Sequence, residues 1–126
     1  IRDSFNNKDF DEALTMYEQA IAAVPTEMAY YNNKAAVLIE LENLPECLKV
    51  CQGLKDRLHH IRHTDPAGAT DFKVARTLGR MATCFQRQQR YSKALEHWRL
   101  AHARHASPQT KKGIEECELC LSQGTV

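Results

Sequence analysis

One pattern is written three times in this chain. Phe10-Ala13-Leu14-Tyr17-Ala20, Leu44-Cys47-Leu48-Cys51-Leu54 and Tyr91-Ala94-Leu95-Trp98-Ala101 each read large, small, large, large, small-or-medium at the same spacing. Steps of three and four residues mark one face of an α-helix. The first two copies lie 34 residues apart, the second and third 47. The surplus falls in HHIRHTDPAGAT, a stretch rich in turn residues. A helical ladder recurring at this period predicts tandem helix-turn-helix units.

The segments between the ladders supply the other helices. Ladder one ends at Pro25, and Thr26 is the expected N-cap of a helix over residues 27–41 that turns Met28, Tyr31, Ala35, Leu38 and Ile39 inward. Asn43 breaks that helix, and Pro45 is tolerated in the first turn of the next, where its missing N–H has no partner to lose. Ser107-Pro108 opens a last helix through about Gln123, on which Ile114, Cys117 and Leu121 recur at helical spacing. A mostly polar helix there suits the cap that ends a stack of repeats. With only 5 Gly and 4 Pro, the whole chain reads as all-α.

The most informative helix is predicted over residues 71–90. At about 100° per residue, Val74, Leu78, Met81, Ala82 and Phe85 form an apolar back, while Arg76, Arg80, Thr83 and Arg87 form a basic front. Arg76 and Arg80 stand one turn apart, so both guanidinium forks can reach one anion, and a carboxylate fits such forks best. A solvated outer helix face is the competing reading.

Composition excludes several functions. Lys and Arg number 17 against 16 Asp and Glu, so bulk charge argues for neither nucleic acid nor an anionic membrane. No run of eighteen apolar residues exists, so no membrane-spanning helix is expected. Three of the five cysteines (Cys47, Cys51, Cys84) fall inside predicted helices, which suggests reduced thiols in a cytosolic or nuclear compartment. The opening IRDSFNNKDF carries neither an initiator Met nor a signal core and reads as part of something longer. Cys117-x-x-Cys120 and His102-x-x-His105 have ligand-like spacing, but both pairs lie within predicted helices, so no metal or cofactor is expected. His59, His60 and His63, with Arg57 and Arg62, read as the exposed end of a lengthened helix, with a pH-sensitive or anion-binding patch as the alternative. No nucleophile triad, phosphate loop or paired carboxylate stands out, so no enzyme is expected.

A 34-residue helix pair with Ala13, Ala20, Phe10, Tyr17 and a closing Pro25 resembles the tetratricopeptide repeat. The resemblance implies an all-α, right-handed α-solenoid of three repeats plus a capping helix, in one domain over residues 1–126. Repeat one covers about 1–25, with its first helix cut short, repeat two 26–62, a loop 63–70, repeat three 71–106 and the cap 107–123. KDFDEALTMYEQAIAAVPTEMAYYNNKAAV and RQQRYSKALEHWRLAHARHASPQTKK further resemble the middle tetratricopeptide domain of the Hsp-organising, stress-inducible co-chaperone family. That family grips the C-terminal Met-Glu-Glu-Val-Asp tail of the cytoplasmic 90-kDa heat-shock chaperone with a two-carboxylate clamp.

Carried over residue by residue, the resemblance places the clamp's third-helix Asn at Asn33. Its fifth-helix pair falls on Arg76, where the family usually has Lys, and on Arg80. The first-helix Asn falls on Arg2, a departure, and the first-helix Lys lies before residue 1. Groove-lining positions fall on Phe5, Ala36, Glu40 and Thr83. The implied function is peptide binding by a co-chaperone module, monomeric as an isolated domain. Because Arg2 departs from the pattern, a 70-kDa chaperone tail or another acidic peptide remains an alternative, as does a scaffold whose groove packs against its own protein. Asn33 is also singled out as a mid-helix amide among apolar neighbours, a costly placement unless it is used.

Overall fold

The computed structural model describes residues 7–124, with side chains from Asp9 onward. Its helices are α1 (Asn7–Ala23), α2 (Met28–Glu40), α3 (Leu44–Thr64), α4 (Asp71–Arg87), α5 (Tyr91–Arg104) and α6 (Pro108–Ser122), with a 3₁₀ turn at Pro66–Ala69 before α4. Among the described residues there is no strand, as the all-α reading expects. The chain divides into two compact units, residues 1–69 and 70–126.

In the first unit α2 packs on α1 and α3. Its inward side is the expected set of Met28, Tyr31, Ala35, Leu38 and Ile39, together with Asn32. Ala35, Cys47 and Cys51 are fully buried, and these small residues let α2 and α3 come close enough for the Cys47 thiol to donate to the Ala35 carbonyl at 3.5 Å. The α2–α3 turn closes with Asn43 N–H on the Leu38 carbonyl (2.9 Å) around Glu42, which takes a left-handed φ of 61°.

Two local expectations are corrected in this unit. The N-cap of α2 is Glu27, whose carboxylate accepts from Ala29 N–H at 3.1 Å, and not Thr26. The Thr26 hydroxyl instead donates to Asp65 at 2.7 Å, a partner 39 residues away that outcompetes the local cap. The turn-rich stretch after the second ladder is helical through Thr64, because buried Ile61 extends the inward stripe of Cys47, Cys51 and Leu54. The 3₁₀ turn then docks at the start of α2, and a Cβ on Gly68 would lie 2.3 Å from the Thr26 carbonyl oxygen, so only glycine fits.

In the second unit α4, α5 and α6 pack on one another. The apolar back predicted for α4 is buried throughout: Val74, Leu78, Met81, Ala82 and Phe85. Thr70 caps α4, accepting from Lys73 N–H at 3.4 Å. The α4–α5 turn repeats the α2–α3 closure, with Arg90 N–H on the Phe85 carbonyl (2.8 Å) and Gln89 at φ 61°. On α5, Ala94, Leu95, Trp98 and Ala101 are buried as the ladder requires, whereas Tyr91 and His102 are half-buried. On α6, Cys117 is buried, but Ile114 and Leu121 are only half-buried; Thr110 and Gly113 complete the inward side. A capping box between Ser107 and Thr110 starts that helix.

Trp98 is the centre of the second unit. A Cβ on Gly113 would stand 2.3 Å from its ring, and one on Gly79 3.3 Å, so the indole lies against bare helix backbone on α4 and α6. Its N–H donates to Gln86 Oε1 at 2.9 Å, and the Gln86 amide donates in turn to Glu116 at 3.1 Å.

Candidate functional site

The polar front of α4 is built as the spacing dictates. Arg76 and Arg87 are exposed, and Arg80 and Thr83 are half-buried along the same side. Arg76 and Arg80 line one cleft of about 370 Å³. The Arg76 guanidinium lies over the Phe72 ring, 5.2 Å from its centroid, which orients the fork and shields one face of it from water. Across from α4 the cleft is bounded by His105 and by Ser107, the N-cap of α6. Two guanidinium groups beside the positive end of a helix dipole make this wall favourable for an anion.

Trp98 and Gln109 border this cleft and also a second one of about 320 Å³, which runs further along α4 past Thr83, Gln86 and Arg87 to Lys112 of α6. The Thr83 hydroxyl donates to the Gly79 carbonyl at 2.9 Å, leaving its oxygen lone pairs as acceptors. The apolar share of the first cleft, from Phe72 (48% exposed) to Trp98, was not legible as a binding surface. Trp98 sits on a core ladder and reads as packing alone; the signal for its second role is the pair of mid-helix glycines, Gly79 and Gly113, that clear space around it.

The remaining candidates lie in the first unit or outside the described residues. Asn33 is on α2 and exposed; Ala36 and Glu40 are half-buried on the same helix, at spacings that share a face. The buried mid-helix amide is the neighbouring Asn32, 4% exposed, which corrects the expectation that Asn33 stands among apolar neighbours. One residue is a 100° rotation on a helix, enough to carry an amide from the core side to solvent. Arg2 and Phe5 lie outside the described residues. Arg76, Arg80 and Thr83 are therefore gathered on α4, and Asn33, Ala36 and Glu40 on α2.

All five cysteines are free thiols, and four are buried. Burial, followed by the neighbouring Cys120 and Glu116, pushes the Cys117 thiol up to about 11. Among the described residues no group of three or more His, Cys, Asp or Glu side chains is arranged to hold a metal, and no helix is long and apolar enough to cross a membrane.

Known proteins give the architecture a context. The solved N-terminal domain of stress-induced protein-1 (STI-1) from Caenorhabditis elegans superposes with a TM-score of 0.71 at 28% identity, covering 89% of this chain and 84% of that one. The chain has the fold of that tetratricopeptide domain. In sequence the domain is 32% identical over 120 residues to the Hsp70-Hsp90 organizing protein of Triticum aestivum, covering 91% of this chain and 19% of that protein. It is 31% identical over 114 residues to the Hsp70-Hsp90 organising protein of Plasmodium falciparum (90% and 19%) and 28% identical over 116 residues to stress-induced-phosphoprotein 1 of C. elegans (91% and 34%). The domain thus spans a fifth to a third of the length of these relatives. No family model matches the chain. These relatives form a non-enzymatic family, in keeping with the expectation that the domain catalyses nothing.

Proposed function

We propose that this domain binds the acidic C-terminal tail of a heat-shock chaperone, within a cytoplasmic co-chaperone, through a carboxylate clamp. Arg76 and Arg80 take the two carboxylates of the terminal Asp, Asn33 supplies an amide donor, and Arg2 stands where the family has a further amide. Ala36, Glu40 and Thr83 line the path of the residues upstream. The observation that carries the reading is the pair of arginines one turn apart on α4, opening on one cleft. Arg at position 76 strengthens it, because a guanidinium binds a carboxylate bidentately where Lys offers a point charge. A charge-assisted hydrogen bond contributes about 1.5–3 kcal/mol, and a few of them reach the roughly −8 kcal/mol of a micromolar complex.

The preferred ligand is the Met-Glu-Glu-Val-Asp tail of the 90-kDa chaperone, as for the middle domain of the co-chaperone family. The relatives' names join Hsp70 with Hsp90, and this favours one second reading, the 70-kDa chaperone's tail. Calorimetric titration with free-acid Met-Glu-Glu-Val-Asp and its C-terminally amidated twin tests the clamp. Micromolar binding of the acid, lost on amidation and on Arg80→Ala, is expected; retained affinity after Arg80→Ala sinks the assignment.

A further inference from the structure

Ser107, at the start of α6, is one of the residues lining the cleft of Arg76 and Arg80. Its oxygen accepts from Thr110 N–H at 3.2 Å as the N-cap of the 15-residue α6, and it borders the same cleft as Arg76, Arg80 and His105. The backbone entering it is extended, with φ −158° and ψ 97° at His105 and φ −153° and ψ 164° at Ser107. Pro108 follows, the neighbours His105, Ala106, Pro108 and Gln109 are exposed, and Lys111 and Lys112 lie just downstream. An extended Ser-Pro segment with exposed flanks is the substrate form that a proline-directed protein kinase accepts. The other hydroxyls at helix starts differ: Thr110 is buried and bonded to His102 at 2.7 Å, and Thr70 is followed by the acidic Asp71.

We infer that Ser107 is a phosphorylation site whose phosphate is captured by Arg76 and Arg80, so that modification closes the cleft to the carboxylates of a peptide tail. In the transfer the Ser107 Oγ attacks the γ-phosphorus of a nucleoside triphosphate. The Oγ–P bond forms as the bond from phosphorus to the β,γ-bridging oxygen breaks; the nucleoside diphosphate leaves, and the hydroxyl proton passes to the kinase's base. The product carries about −1.5 to −2 charges and three strong acceptor oxygens. At the N-cap it meets the positive end of α6, and across the cleft the two guanidinium forks fit phosphate as they fit carboxylate. Closure of the cleft to a tail rests on the function proposed above; capture of the phosphate does not.

The test uses the 126-residue chain in two forms, treated with a proline-directed kinase and nucleoside triphosphate, and produced with phosphoserine encoded at position 107. Mass-spectrometric mapping is expected to find one phosphate on Ser107 and none in Ser107→Ala. At low salt the phosphorylated chain is expected to melt several degrees above the unmodified one, and Arg76→Gln/Arg80→Gln to abolish most of that shift. Affinity for free-acid Met-Glu-Glu-Val-Asp is expected to fall by at least about tenfold on phosphorylation. Absence of label at Ser107 overturns the modification site, and an equal melting shift with and without the arginines overturns the capture. Unchanged tail affinity after phosphorylation overturns the closure. If the unmodified chain binds acid and amide alike, the function proposed above fails instead, and the melting comparison still decides the capture.

Discussion

The ladders of α1 and α5 are nearly the same sequence and meet different fates. On α5, Ala94 and Ala101 are fully buried and Trp98 is 5% exposed, whereas on α1 Phe10, Ala13, Leu14, Tyr17 and Ala20 are all only half-buried. The cause is the number of neighbours: α5 packs against both α4 and α6, and α1, among the described elements, only against α2. A repeat's apolar face is thus a promise of burial that adjacent helices must keep. The stability of this domain should accordingly be concentrated around Trp98 and thin along α1.

The largest effect should come from the centre of that contrast. Trp98→Ala is expected to cost about 3–5 kcal/mol, as large core truncations do, while Tyr17→Ala, at the matching place on α1, should cost about 1 kcal/mol, the middle of the range for point changes. Urea unfolding of the two variants decides it, and equal losses would break the comparison. Next come two glycines. Gly113→Ala forces a methyl into the rigid indole and should cost about 3 kcal/mol. Gly53→Ala on α3, where the nearest atom is the flexible Arg57 tip at 3.8 Å, should stabilise by up to about 1 kcal/mol through helix propensity.

Alkaline pH probes the same core more gently. The raised Cys117 pKa favours the neutral thiol in the folded state, so its contribution is intact below pH 9.0, where an ordinary thiol begins to ionise on unfolding, and is lost as pH rises to about 11. Unfolding midpoints measured across that window should decline less steeply in Cys117→Ala than in the parent. The smallest effect is expected at the two left-handed turn residues. Glu42→Gly and Gln89→Gly should each stabilise by about 0.5 kcal/mol, the relief of positive φ exceeding the entropy that glycine adds to the unfolded chain. Matching gains would confirm that the two turns are copies in energy as well as in shape.

What could be read from the sequence was what depends on period. The buried back of α4 and the shared side of Arg76 and Arg80 follow from the helical repeat alone, and the stripe from Val74 to Phe85 is long enough to fix its own phase. What escaped depended on distant partners or on a single step of rotation. Thr26 has the chemistry of an N-cap, and only Asp65, 39 residues on, takes its hydroxyl elsewhere. Asn32 and Asn33 are chemically identical neighbours at the edge of a stripe, so composition cannot say which one faces solvent. Ser107 reads correctly as a helix cap, yet nothing local to it announces the arginines across the cleft.

The indole of Trp98 touches bare backbone on two helices and borders both clefts along α4. It is also the chain's sole tryptophan. Its fluorescence is therefore a built-in optical reporter: an occupant of either cleft that disturbs the Trp98–Gln86 hydrogen bond should shift its emission. Ligand binding and the loosening of the α4–α6 seam can thus be followed in the unlabelled protein.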